Sequence, residues 1–271
     1  MKQYLILILA PLLLIACTAT PPKEIINNVE DLYNSGISQI KDGDYQAGID
    51  SFEDLERQHP YSQWATRGHT MVSYAHFKMA NYDESILAAE RFIRLHPGHK
   101  NLDYLYYLRA LSFYHRISDI SRDQGYTRDA LEAFKEITYR FPESKYARDA
   151  KLKITLCEGH IAGQELMVGR FYQQKGRFLA AINRFRNVIA AYEKSNQTPE
   201  ALFRIAESYL ALGIESEAQA AAAVLGHNFP TSEWYKDAYS LLREQNLEPV
   251  ESEDTSGWLS NFVKGVKKTI E

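Results

Sequence analysis

A pattern of small residue, turn, apolar helix and proline recurs along this chain, and it dictates a stacked architecture before any single residue is considered. Tyr33-Asn34-Ser35-Gly36 opens the first unit, and Gly43-Asp44-Tyr45, Ile49, Phe52, Leu55 and Pro60 follow. The second unit repeats the layout with Ser73, Ala80-Asn81-Tyr82, Ile86, Ala89, Phe92 and Pro97. Its proline stands 37 residues after the first. A third unit runs from Leu102 through Ala110 to Ala130, Phe134, Ile137 and Pro142, with a polar insertion, Ser118 to Tyr126, that reads as a loop on one edge. Gly169, Gly176-Arg177-Phe178, Ala181, Ile182, Phe185 and Val188 mark a fourth, and Ala206, Gly213, Ala218, Leu225 and Pro230 a fifth. Each unit reads as two helices that cross at the small residue, with a proline ending the second because it cannot continue one.

This is the spacing of the tetratricopeptide repeat, whose period is ~34 residues. The expected fold is therefore all-α: a tetratricopeptide-repeat superhelical solenoid of about five helical hairpins plus a closing helix. The glycine and proline punctuation excludes a coiled coil. Residues 28–142 hold repeats 1–3; residues 143–243 hold repeats 4–5 and a closing helix from Ser232 to Arg243. Ser144 to Gln174 reads as one long helix, with Gly159 and Gly163 as places where it could bend. His59 and His96 precede matching prolines and read as helix caps, not ligands.

The first residues address the chain to a compartment. Lys2 and the apolar run Leu5 to Ile15 make an export signal, too short for a bilayer span of about 20 residues. The run ends in Leu14-Ile15-Ala16-Cys17, which resembles a bacterial lipobox. Residues 1–16 then form a signal peptide and residues 17–27 a lipidated linker, with several acyl chains on Cys17 for stable anchoring. Thr18 follows where an aspartate would argue for the inner membrane, so the expected location is the outer membrane, facing the periplasm. The other cysteine, Cys157, lies among Leu152, Ile154, Leu156 and Ile161 and reads as a buried thiol. A net charge of −4 excludes general nucleic-acid binding. No phosphate loop, zinc motif or serine elbow occurs, so neither an enzyme nor any cofactor beyond the covalent lipid on Cys17 is expected.

On the template, the inward positions of the first three units carry Tyr33, Ile37 and Ile40, then Thr70, Tyr74 and Phe77, then Tyr104, Tyr107, Leu111 and Tyr114. Tyrosine pairs a flat apolar body with a hydrogen-bonding tip, which suits an aromatic peptide groove. Packing between helices is the competing reading: it takes Tyr45 and Tyr82, while Tyr74, Tyr107 and Tyr114 fit an open groove better. Charge is uneven as well. Residues 23–57 carry nine acids against three bases, and residues 162–198 carry six bases against two acids. The basic stretch is either a solvated helix face or a surface for an acidic partner. Residues 244–271 form an acidic linker and an amphipathic tail helix with Trp258, Leu259, Phe262, Val263, Val266 and Ile270 on one face. That face suits a membrane surface, a partner's groove or the solenoid itself.

Arg91-Phe92-Ile93-Arg94-Leu95-His96-Pro97-Gly98-His99, with Asp103-Tyr104 and Arg109-Ala110-Leu111 after it, resembles the signature stretch of the BamD (ComL) family. Phe141-Pro142-x-Ser144-x-Tyr146 and the run from Tyr172 to Arg184 extend the likeness, which covers Cys17 to about Pro230. These are the tetratricopeptide lipoproteins of the outer-membrane β-barrel assembly machine. The resemblance implies a two-ended adaptor. Its N-terminal repeats (Tyr33, Ile37, Tyr74, Phe77, Tyr104, Tyr107 and Tyr114) would receive the aromatic C-terminal segment of an unfolded barrel precursor. Its C-terminal repeats (Arg170, Arg177, Arg184 and Arg186) would dock on the periplasmic domain of the central barrel subunit, beside other assembly lipoproteins. Arg184 matches a family arginine associated with that contact. The alternative is another periplasmic repeat lipoprotein, such as a secretin pilotin or a cell-envelope coordination factor.

Overall fold

The computed structural model describes residues 28–248, and these form eleven α-helices and no strand. They are α1 (Val29–Asp42), α2 (Tyr45–Gln58), α3 (Gln63–Lys78), α4 (Tyr82–Leu95), α5 (Leu102–Tyr114), α6 (Gly125–Arg140), α7 (Lys145–Gln174), α8 (Phe178–Ala191), α9 (Thr198–Ala211), α10 (Glu215–Asn228) and α11 (Glu233–Glu244). Each helix packs on the next in sequence. The odd-numbered helices α1, α3, α5, α7 and α9 also touch one another in turn. The even-numbered helices from α2 to α10 make no such contact with one another, so the stack curves with the odd helices on its inner wall. The lipobox with Cys17 and the amphipathic tail lie outside the described residues.

The hairpins cross where the repeat places a small residue. A methyl group added at Gly36 would lie 2.8 Å from the Phe52 ring, and one at Gly169 would lie 2.3 Å from Phe185. In the second unit Ser73 and Ser85 take this position, each hydroxyl donating to the other residue's carbonyl at 2.9 and 3.0 Å. Ala110 and Ala206 fill it in the third and fifth. Phe52, Phe92, Phe134 and Phe185, one from each of the first four units, have no exposed surface.

Side-chain caps start several helices, as Asn28, Asp44, Ser62, Ser144 and Ser232 each accept from a backbone N–H of the first turn. His59 and His96 are the C-cap residues of α2 and α4, where the prolines that follow end each helix.

The core falls into three clusters. Phe52 centres the first, Phe92 and Phe134 the second, Phe185 the third. The 30-residue α7 joins the last two, giving Ala150, Cys157 and Ile161 to one and Ala162 and Leu166 to the next. It runs unbroken through Gly159 and Gly163. Cys157 is fully buried, and burial pushes its thiol up to about 11.

The insertion is shorter than the sequence indicates, since α6 already begins at Gly125. It is also not a free edge loop. Buried Gln124 donates to the Asp119 and Arg122 carbonyls, accepts from the Thr127 hydroxyl at 2.6 Å, and meets His160 Nδ1 of α7 at 2.8 Å. Gln164, also on α7, donates to the Arg122 carbonyl. The insertion thus pins unit 3 to the long helix.

Candidate functional site

A recess of about 850 Å³ on the inner wall draws on the first three units and on the start of α7. Ile37, Ile40 and Lys41 close it on α1, and Tyr45 at the start of α2. Thr70, Met71 and Tyr74 of α3 form its middle. Lys100, Asn101, Asp103 and Tyr104 at the start of α5 and Lys145 and Tyr146 at the start of α7 form its far end. The far wall is built by hydrogen bonds. Ser144 caps α7 and donates to Asp103 Oδ2 at 2.6 Å, while Asp103 Oδ1 accepts from the Tyr104 N–H at 2.8 Å. Tyr104 and Tyr146 face each other with centroids 5.7 Å apart. Behind them Tyr107 stacks on Tyr146 at 4.8 Å and donates its phenol to Asp149 at 2.5 Å. Burial raises the Asp149 carboxyl, but hydrogen bonds from Tyr107 and Lys153 outweigh it and hold the group below its ordinary value. Burial and that same hydrogen bond push the Tyr107 phenol well above its ordinary value.

Of the residues expected at inward positions, Ile37, Ile40, Thr70, Tyr74 and Tyr104 line the recess. Tyr33 packs instead on Phe52 and Trp64, at 5.7 and 4.9 Å. Phe77 packs between Tyr82 and His115. Tyr107 and Tyr114 are not open groove residues: one is held by Asp149, the other lies edge-on to Phe134 under the Lys153 ammonium. Tyr45, expected between helices, is half-buried and lines the recess. Tyr45 sits in the first turn of α2 and packs on the first core cluster as well, so the ring serves both.

The four arginines do not gather into one patch. Arg170 of α7 reaches Glu200 of α9 at 3.2 Å. Arg184 of α8 reaches both carboxylate oxygens of Glu165 on α7, at 3.3 and 3.2 Å. Arg186 donates to the Tyr209 hydroxyl at 2.8 Å, and Arg177 caps α8 with its side chain exposed. Three different helix interfaces therefore take up three of them.

Residues 27–225 match the family model described as YfiO, outer membrane lipoprotein. An outer membrane protein assembly factor BamD from Caulobacter vibrioides is 44% identical, covering 82% of this chain and 72% of its own length. The BamD of Rickettsia prowazekii is 40% identical over 81% of this chain and 88% of its own. The chain belongs to the BamD family. A more distant BamD, from Neisseria meningitidis serogroup A, is 32% identical and is covered over 96% of its length.

Membership in the BamD family decides between the two readings of the sequence, in favour of the outer membrane protein assembly factor. The matched span contains the whole recess and all four arginines. Sequence reasoning missed Tyr146, Lys100, Lys145 and Met71 in this BamD-family groove. A signal for Tyr146 existed: Pro97 and Pro142 each end a second helix, so Asp103-Tyr104 and Lys145-Tyr146 both fall in the first turn of the helix that follows.

Proposed function

We propose that the chain is a binding scaffold of the outer-membrane assembly machinery, with its inner groove as the receptor for an extended segment of an unfolded β-barrel precursor. Units 4 and 5 dock on the periplasmic domain of the central barrel subunit, alongside other assembly lipoproteins. Acyl chains on Cys17 hold the solenoid at the outer membrane on its periplasmic side, and no other bound group is part of the reading. Binding, not catalysis, is the role.

The observation that carries the reading is the recess itself: four tyrosines, Tyr45, Tyr74, Tyr104 and Tyr146, line it together with Ile37, Ile40 and Met71. An extended strand presents side chains to alternate sides, and flat rings with polar rims accept both its apolar groups and its backbone. Arg177 is the better probe of the docking end, because no described acid takes up its charge as Glu165 takes up that of Arg184.

A photo-crosslinking residue at Tyr74 tests this in the full lipoprotein. An adduct with unfolded barrel precursor is expected there, and none at Tyr139, which is exposed on α6. Equal yields at both positions, or none at Tyr74, would remove the groove from the account.

A further inference from the structure

We propose that the amphipathic segment 258–270 docks on its own chain, along the edge of units 4 and 5 where α7 and α9 end. These two helices run in one direction: Arg170 of α7 pairs with Glu200 of α9, and Gln173, one turn on, with Glu207 and Ser208. Their ends, with the starts of α8 and α10, therefore share an edge. Four large apolar side chains stand exposed there: Phe171 (54%), Leu179 (66%), Leu212 (37%) and Ile214 (38%). Between the two turns lies a recess of about 410 Å³, with half-buried Phe178 on one side and Ala211 on the other. Clustered apolar surface of this kind marks a contact site.

The occupant follows from where the chain leaves the described residues. Leu247 packs on the third core cluster, and the Glu248 carbonyl accepts from Gln219, in the second turn of α10, at 2.8 Å. The chain thus departs beside this edge. Residues 249–257 lead from there to Trp258. Extended, they reach ~30 Å, whereas crossing from α11 past α9 to α7 takes roughly 20 Å at ordinary helix spacings. Trp258, Leu259, Phe262, Val263, Val266 and Ile270 then form one apolar stripe about 18 Å long on a helix.

The repeat itself closes the other seat, a sixth hairpin begun by α11. That helix ends in the turn the units use, with Asn246 at φ 59° and the Leu247 N–H bonded to the Leu242 carbonyl at 2.9 Å. Seven residues before the matching left-handed position, units 1, 2, 4 and 5 carry Gly36, Ser73, Gly169 and Ala206, where the second helix crosses. In α11 that residue is Tyr239, and its ring fills the space a crossing helix needs.

Charge sets the direction of the docked segment. The α7–α8 turn presents Lys175 and Arg177, and α10 opens with Glu215; none of the three has an ion-pair partner among the described residues. The segment carries Glu251, Glu253 and Asp254 first, then Lys264, Lys267 and Lys268. Opposite charges meet when the acidic stretch crosses to the α7–α8 turn and Trp258 enters the recess beside Phe178. The stripe then returns over Leu212 and Ile214, with its lysines beside Glu215.

The test uses the full lipoprotein in vesicles of phosphatidylcholine and phosphatidylglycerol, with a photo-crosslinking residue replacing Trp258 or Val266. Adducts mapped by mass spectrometry should lie within one chain, at Phe178 or Leu179 from position 258 and at Leu212 or Ile214 from position 266. Adducts with lipid place the segment on the membrane, and adducts between chains make the occupant a second copy. Either result, or no adduct from both positions, overturns the proposal; adducts in exchanged places overturn its direction. Trypsin cleavage after Lys264, Lys267 and Lys268 gives a second measure. It should run about tenfold faster in Leu179→Ser/Ile214→Ser than in the unaltered chain. Both side chains are exposed, so the variant should keep its helical signal. Equal cleavage rates overturn the docking.

Discussion

Around the groove, which units 1 to 3 build with the start of α7, the lysines carry charge that no described acid takes up, whereas in units 4 and 5 the guanidinium groups of Arg170 and Arg184 are bound by Glu200 and Glu165. The two halves use one hairpin design and opposite surface economies. In the first half aromatic rings and ammonium groups face an open recess. In the second, Gln173 donates to the Glu207 carboxylate and the Ser208 hydroxyl, Arg204 reaches Glu200 and Glu207, and Asn187 joins Arg184 on Glu165. A surplus of bases in a sequence therefore does not measure the charge available to a partner. Availability depends on what the neighbouring helix presents, and α9 presents acids where α5 presents tyrosines.

The contrast is sharpest in the response to truncation. Phe185 has no exposed surface and packs into the space left by Gly169. Phe185→Ala should cost about 3–5 kcal/mol, read as a fall in the urea midpoint at unchanged slope. Tyr45→Ala, on the groove wall, should cost no more than about 1 kcal/mol, because that ring is only partly buried. Similar losses for the two would mean that the groove wall is core, and the proposed division of labour between the halves would fail.

A smaller effect separates bound from free charge. Glu165→Ala leaves Arg184 and Asn187 without their shared acceptor and, because Arg184 stays partly solvated, should destabilise the chain by about 0.5–1.5 kcal/mol. Lys145→Ala removes a charge that holds nothing together, and its effect should stay within about 0.5 kcal/mol. Thermal unfolding of both variants in low and in moderate salt checks the pair. If Lys145→Ala is the more damaging, the lysine is structural, and the contrast between free and bound charge fails.

Much of this molecule was legible in the sequence because a repeat reports the same physical constraint several times. Gly36, Ser73, Ala110, Gly169 and Ala206 announce the helix crossings, and the prolines announce helix ends. The long helix α7 was legible too, from unbroken periodicity between Ser144 and Gln174. The groove was legible only in part. Periodicity tells which face of α3 or α5 turns inward, and so it found Tyr74 and Tyr104. It does not tell how far one helix end stands from another, and Tyr45, Lys100 and Tyr146 enter the groove from helix starts. Tyr107 illustrates the opposite error: it lies on the inward face, but Asp149, 42 residues away, claims its hydroxyl. Charge pairs such as Arg184 with Glu165 were hidden for the same reason, since they join residues of different helices.

The smallest expected effect concerns a turn that unit 2, in the middle of the groove, builds differently from units 1, 4 and 5. Gly43, Gly176 and Gly213 each take a positive φ at the end of a first helix, at 86°, 69° and 72°. In each case the next residue's N–H reaches back to a carbonyl one turn earlier: Asp44 to Gln39, Arg177 to Tyr172 and Ile214 to Tyr209, all at 2.9 Å. Unit 2 makes the same turn, with Asn81 bonded to His76 at 2.9 Å, but the residue at φ 59° is Ala80. A left-handed conformation costs a residue with a Cβ about 1–2 kcal/mol, and glycine gives part of that back through its more flexible unfolded state. Ala80→Gly should therefore raise stability by about 0.5–1 kcal/mol, measured as a higher urea midpoint. Because Ala80 lies outside the recess, peptide affinity should not change. A stabilised variant with weakened binding would show that strain at this turn tunes the position of α3, and that the groove half is held open by its own backbone.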